Sequence, residues 1–276
     1  MQPFALASTS GPVGVLVQSA TDCRAQLLTI EAWAGQHGLD VVDLGTSAEP
    51  DGAQPSCQLV IALGGDGTVL RALRLAMTAH AAVLAVNFGH VGFLADVRGD
   101  ELGPALERIA DGDALLDERT ALVAEIQAQE PRRLIAFNDV VVARRPGFGT
   151  ARVRVAVAGE SLLMLNGDGV VIASPTGSTA YTVGAGGPAV APSLDAIVIT
   201  PLATQGSPLR SLVVDGSDAV RVETEPYSAP LSVEIDGRET HDVPTAAALE
   251  VRAAPRKARL VRTRPRTFYR DLATRL

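Results

Sequence analysis

Within LVIALGGDGTVLRAL (59–73), three glycines and a carboxylate fill four consecutive positions, Gly64, Gly65, Asp66 and Gly67. An apolar strand-like segment precedes them and a helix-like one follows. At the carboxyl end of a parallel strand the chain must turn sharply into its helix. Glycines permit that turn and remove the side chains that would keep a ligand off the backbone. The freed amides and the helix N-terminus then favour an anion, most often phosphate. A carboxylate has the wrong charge for merely holding one. Asp66 makes chemical sense as the acceptor of a proton from a hydroxyl attacking that phosphate, or as a partner of magnesium beside it. Taken alone, G-G-D-G-T fits a capped helix behind a tight turn equally well. No G-K-[ST] follows and the spacing is not G-x-G-x-x-G, so neither a Walker loop nor an ordinary Rossmann loop applies.

A second constellation lies about a hundred residues on, in NGDGVVIASPTGSTAYTVGAGGPAVAP (166–192). Asp168 sits in a Gly-Asp-Gly turn before a β-type run. Pro175, Thr176, Gly177, Ser178 and Thr179 bring hydroxyls to the start of a short helix, and Tyr181 supplies a ring. Such a turn suits a nucleoside, although a capped helix with a glycine-rich exit reads the same way. A third element is FND (137–139), where Asn138 and Asp139 interrupt a β pattern. Adjacent Asn and Asp commonly form a turn.

The elements that must position these groups fall into two textures. Over the first ~115 residues, short apolar runs alternate with helical patterns, the signature of β-α-β units and a parallel sheet. VGVLVQ (13–18), DVVDL (40–44), LVIAL (59–63) and VLAVNFG (83–89) read as strands. Thr21 or Asp22 caps a helix whose apolar positions are Leu27, Leu28, Ile30 and Ala34. A helix of roughly ten residues between the third and fourth strands fits a crossover. Residues 45–56 read as a mobile loop. From Arg119 onward, short β-type runs follow one another without long helices: ALVAEIQA, IAFNDVVVA, ARVRVAVAG, AIVITPL, SLVV, AVRVETE, LSVEID and LEVRA. That points to antiparallel sheets in a sandwich-like domain. FYRDLATRL (268–276) reads as a terminal helix or extension.

The pieces together resemble the NAD kinase (ATP-NAD kinase) family in sequence and in order. The matching segments are LGGDGTVLRA (63–72), NFGHVGFLAD (87–96), FNDVVV (137–142), DGVVIASPTGSTAYTVGAGGP (168–188), ITPL (199–202) and IDGRE (235–239). The long PTGSTAY…AGGP block is specific, whereas diacylglycerol-type lipid kinases and phosphofructokinases carry loops related to G-G-D-G-T. The resemblance implies transfer of the ATP γ-phosphoryl group to the 2′-hydroxyl of the adenosine ribose of NAD, giving NADP. It implies Asp66 as the catalytic aspartate, and Gly64, Gly65, Gly67 and Thr68 as the ATP phosphate loop. It implies NAD contacts from Asp66, Gly67, Phe93, Asn138, Asp139, Asp168, Thr176, Thr179, Ala180 and Tyr181. The implied fold is an α/β N-terminal domain with a Rossmann-like parallel sheet (1–118), to which a tail (264–276) returns. A β-rich NAD-binding domain follows (119–263), and the site lies between the two. Magnesium or another divalent cation would arrive with ATP, and a homodimer or homotetramer is implied. The chain departs from the family pattern where Asp139 replaces a glutamate, at Phe88, and at Gln205 and Ser211; Arg210 is retained.

Composition narrows the alternatives. The chain has 276 residues, is 47% hydrophobic and carries a formal net charge of -7. That balance argues against a general nucleic-acid or anionic-membrane binder. Cys23 and Cys57 have no zinc-type spacing and suggest no disulfide framework. No apolar run approaches the ~20 residues that span a bilayer, and no secretory signal is visible, so a cytoplasmic setting is expected. Lys257 is the single lysine. Two other readings compete: a lipid kinase sharing the glycine loop, which would need an apolar acceptor pocket, and a non-catalytic NADP sensor, against which the intact loop speaks.

Overall fold

The computed structural model describes the chain except residues 1, 7–10, 20–21, 46–55, 89–91, 96, 207–208, 245–246, 265–267 and 275–276. Of the two caps expected for the first helix, Thr21 lies outside the described residues, as do most of the 45–56 loop and Gly89; the N-cap is Cys23, so Asp22 does not take that place. Two compact units result: Met1–Glu118 with Lys257–Leu276, and Arg119–Arg256. The return to the first unit therefore begins at Lys257, earlier than the sequence texture suggests. Its cause is a strand at Ala258–Arg262 that pairs parallel to Ala82–Asn87.

The first unit is built on a sheet whose parallel strands run in the order Ala258–Arg262, Ala82–Asn87, Leu59–Leu63, Val13–Val17, Val41–Asp43. The sheet is mixed rather than purely parallel, because Gln2–Phe4 pairs antiparallel with Ala114–Arg119 at its far edge. All five residues of Leu59–Leu63 are buried, as expected for a central parallel strand covered on both faces. The helices Arg24–Gln36 and Leu102–Ala110 bring Ile30, Trp33, Leu102 and Leu106 onto the face of Leu59, Ile61 and Leu63. Leu28, expected on the apolar face of the first helix, is instead 67% exposed, and Trp33 takes the inward place. The helix after the glycines, Asp66–Ala79, buries Val69, Ala72, Leu73 and Ala76. It stops at His80, which adopts a left-handed φ of +58°. The Ala81 amide then bonds back to the Ala76 carbonyl at 2.9 Å, a left-handed helix stop.

The order of these parallel strands changes sense at one place. Val13–Val17 leads outward to Val41–Asp43, whereas its neighbour Leu59–Leu63 leads the other way to Ala82–Asn87. Right-handed crossovers then send the two connecting helices to opposite faces. The crevice left at the carboxyl ends of the two diverging strands is where open α/β sheets bind ligands. Gln18 and Gly64 are the residues that enter it.

The second unit consists of two six-stranded antiparallel sheets. One contains Asp139–Arg144, Gly169–Ala173 and Leu231–Ile235 at its centre. Val140, Val142, Val170, Ile172 and Val233 point from it into a core shared with Val153, Val155, Val222 and Val251 of the other sheet. Because side chains alternate along a strand, Val141, Val171 and Val198 face outward. There they are covered by Val190 and Ala185 from the segment after Pro175. Asp139 shares the parity of Val141 and so lies on that covered outer face.

Candidate functional site

In the first unit, the glycine loop closes the Leu59–Leu63 strand. The Gly64 amide donates to the Val86 carbonyl at 2.9 Å. A Cβ on Gly64 would press on Thr68 Oγ1 and Gln18, so only glycine fits. Gly65 is the N-cap of the helix, and Asp66 stands in its first turn, where a carboxylate complements the helix dipole. Two of the amides expected for phosphate are engaged here. The Gly65 amide donates to Gln18 Oε1 at 3.1 Å and the Thr68 amide to the Gly65 carbonyl at 2.8 Å. Gln18 is thus an exposed side chain laid over the loop, and its residue type and position in the sequence do not mark it out.

The Asp66 carboxylate is half-buried and reaches across to the V-G-F step. Oδ2 accepts from the Phe93 amide at 3.0 Å and Oδ1 from the Leu94 amide at 3.4 Å. A Cβ on Gly92 would overlap this carboxylate, which gives that glycine a steric reason. The structure brings Asp66 and Phe93 together as neighbours. Arg262 grips the same loop from the last strand: its guanidinium donates to the Leu94 carbonyl at 2.6 Å and to Asp117 Oδ2 at 3.0 Å. Its side chain is 1% exposed.

In the second unit, the FND turn is the hub. Asn138 is half-buried and Asp139 is buried. On its carbonyl side, Ser174 Oγ donates to the Phe137 carbonyl at 2.5 Å and the Ser174 amide to the Asn138 carbonyl at 2.9 Å. Gly177 lies so close that a Cβ there would overlap the Asn138 carbonyl. The P-T-G-S-T turn is therefore laid directly on FND. On the amide side, Asp236 Oδ1 accepts from Phe137, Asn138 and Asp139 at 3.0, 2.7 and 3.2 Å. Nothing in the local sequence ties Asp236 to FND, which lies about a hundred residues earlier.

The hydroxyls of the P-T-G-S-T turn are mostly satisfied within the protein. Thr176 Oγ1 accepts from buried Arg119 at 3.4 Å, and Thr179 Oγ1 donates to the Thr176 carbonyl at 3.3 Å. Ala180 has φ -97° and ψ -115° where the turn meets its short helix. The Tyr181 amide bonds to the Asp139 carboxyl, whose Oδ2 has no hydrogen-bond partner among the described residues. Burial first, then the charge of Asp236, raises the Asp139 pKa from 3.8 to about 7. Asp168 pairs with Arg144 at 2.6 Å and shares an open hollow with Tyr181, Gly184 and Leu202. Tyr181 itself is 46% exposed.

Comparison with known proteins decides what these pieces belong to. Residues 21–114 match the model of the ATP-NAD kinase N-terminal domain, and residues 137–263 that of the C-terminal domain. The chain belongs to the NAD kinase family. It is 38% identical over 220 residues to the NAD kinase of Heliobacterium modesticaldum, covering 79% of this chain and 78% of that protein. It is 35% identical over 239 residues to the NAD kinase of Rhodococcus erythropolis, covering 86% and 75%. Among solved structures, the fold is similar to that of yeast NADH kinase complexed with NADH. The TM-score is 0.82 at 21% identity, over 99% of this chain and 87% of that one. An NAD kinase from Archaeoglobus fulgidus in complex with ATP gives a TM-score of 0.73 at 21% identity, over 95% and 97%. At these identities the structures establish the NAD kinase fold, and the sequence relatives establish the family.

Proposed function

We propose that this kinase, which phosphorylates NAD to NADP, uses Asp66 as general base and the glycine loop as cradle for the transferred phosphate. The placement of Asp66 carries the reading. It stands in the first turn of the Asp66–Ala79 helix, at the crevice where strand order reverses. A ribose 2′-hydroxyl is a weak nucleophile and loses its proton as the new phosphorus–oxygen bond forms, and a carboxylate here accepts it. The amide of Gly67, with that of Gly65 once Gln18 swings away, opposes the charge on phosphate. Asn138, Asp139, Asp168, Thr176, Thr179, Ala180, Tyr181 and Phe93 are proposed to hold the dinucleotide.

ATP is the proposed donor, carrying magnesium or another divalent cation. Among the described residues no group of three or more His, Cys, Asp or Glu is arranged to hold a metal ion. A cytoplasmic homodimer or homotetramer is proposed from the family resemblance. No helix among the described residues is long and apolar enough to cross a membrane.

A second reading of Asp66 follows from its bonds to the Phe93 and Leu94 amides: a clasp for that loop rather than a base. The test is NADP formation measured through a coupled dehydrogenase, with wild type and Asp66→Asn compared. A base predicts a turnover loss of about 10²–10⁴ with NAD still bound. Retention of more than about a tenth of turnover sinks the base and leaves the clasp.

A further inference from the structure

The I-D-G-R-E segment matches the family, yet no step above uses it. Strand register places Val140 opposite Ile235, so Asp139 stands opposite Asp236, and the Asp236 amide donates to the Asp139 carbonyl at 3.0 Å. Two carboxylates directly across a strand pair repel. Asp236 leaves the strand conformation, with a left-handed φ of +50° that Asp tolerates better than most residues. Its carboxylate thereby turns onto three successive amides, those of Phe137, Asn138 and Asp139. Oδ2 adds a second contact to Phe137 at 3.1 Å. A concave run of amides around an anion is a nest, and here the anion belongs to the protein. The ligand-facing turn is thus shaped by an internal carboxylate rather than by the ligand.

We infer that Asp236 is a positioning residue for the dinucleotide, its carboxylate fixing the turn that presents Asn138 and Asp139. This rests on the reading of those two residues as dinucleotide contacts. Without the carboxylate three amides lose their acceptor, and the turn relaxes before NAD arrives. The ATP loop is on the other unit and keeps its own hydrogen bonds.

The test uses full-length Asp236→Ala and Asp236→Asn, with KM for NAD, KM for ATP, kcat and melting temperature measured for each. Asp236→Ala is expected to raise KM for NAD by about tenfold or more, with KM for ATP within about twofold. Asp236→Asn keeps one acceptor oxygen and should recover part of the loss. It also gives a readout that general loosening would not move. The groups facing the Asp139 carboxyl are Asp236 and Glu234, which raise it, and the Tyr181 amide, which lowers it. NAD affinity, which needs ionised Asp139 as acceptor, should rise through about pH 7 in the wild type. In Asp236→Asn that rise should move to lower pH, because one of the two repelling charges is gone. Equal increases in both KM values, or an unmoved pH profile, overturn the proposal. Asp139→Ala and Asn138→Ala separate the two levels. If neither raises KM for NAD, the dinucleotide reading itself fails. If they do and the Asp236 variants do not, only the positioning role fails.

Discussion

The glycine loop of the first unit and the FND turn of the second are both presented at the carboxyl or free ends of strands, but they are held very differently. The loop's groups have exchangeable partners. Gly65 bonds to an exposed glutamine side chain, and Asp66 bonds to two amides of a separate loop. The FND turn is fixed on both faces, by Asp236 on its amides and by Ser174 and Gly177 on its carbonyls. Phosphoryl transfer depends on positioning and on charge that is available when the phosphate arrives. A dinucleotide site gains affinity when its polar groups are ordered in advance. The contrast suggests that one region exchanges partners during turnover while the other keeps them.

The comparison can be broken by disturbing each region in turn. The largest effect should come from Gly92→Ala, whose Cβ would push the Asp66 carboxylate out of place. Misplacing a catalytic group by about 1 Å costs on the order of 10²-fold in rate. Turnover should fall that far while NAD binding, followed by calorimetry, is retained. Near-normal turnover would mean that the position of Asp66 is not what the chemistry needs.

Asp139→Asn probes the rigid region through pH. Asp139 has a folded pKa raised from 3.8 to about 7, so the folded state holds a proton that the unfolded state releases. Stability is therefore lost as pH rises from about 4 to about 7. Asparagine removes that loss. At about 1.4 kcal/mol per unit, thermal denaturation should show a gain of up to about 4 kcal/mol at pH 8 that vanishes near pH 3. A variant no more stable than wild type at pH 8 contradicts a cost of ionising this buried carboxyl.

Gly177→Ala should strain the same turn from the other side, because the added methyl meets the Asn138 carbonyl. Overpacking of this kind costs about 1–3 kcal/mol, and KM for NAD should rise with no change in KM for ATP. Equal changes in both would show that the two regions do not work separately. The smallest effect is expected for Gln18→Ala. Removing that side chain leaves the Gly65 amide open to phosphate, so KM for ATP should fall or rise by no more than a few-fold, as befits one hydrogen bond. A hundredfold change would make Gln18 a ligand in its own right.

Much of this was legible in the sequence where local pattern decides it. Leu59–Leu63 is a strand because five apolar residues run unbroken into glycine, and the change of texture near Arg119 marks a real change of architecture. Leu28 misled because its spacing fits an apolar face while Trp33, a bulkier residue on the adjoining stripe, claims the core. The partners of the site residues escaped for another reason. Gln18 meets Gly65 across 47 residues, and Asp236 meets Asn138 across 98. Arg262 meets Leu94 across 168. Such pairs follow from strand order and register, to which periodicity along a single chain is blind.

The strand Ala258–Arg262 lies between Ala82–Asn87 and Ala114–Arg119, both made far earlier in the chain. During synthesis the first unit emerges with a slot open in the middle of its sheet, while the whole of Arg119–Arg256 is translated. Domains commonly fold as they leave the ribosome, N-terminal first, yet here the earliest residues must wait for the last strand. Arg262, carried on that strand, is also what anchors Leu94 next to Asp66. A chain cut before Ala258–Arg262 therefore lacks both that strand and the Arg262 anchor on Leu94, the residue whose amide bonds to Asp66.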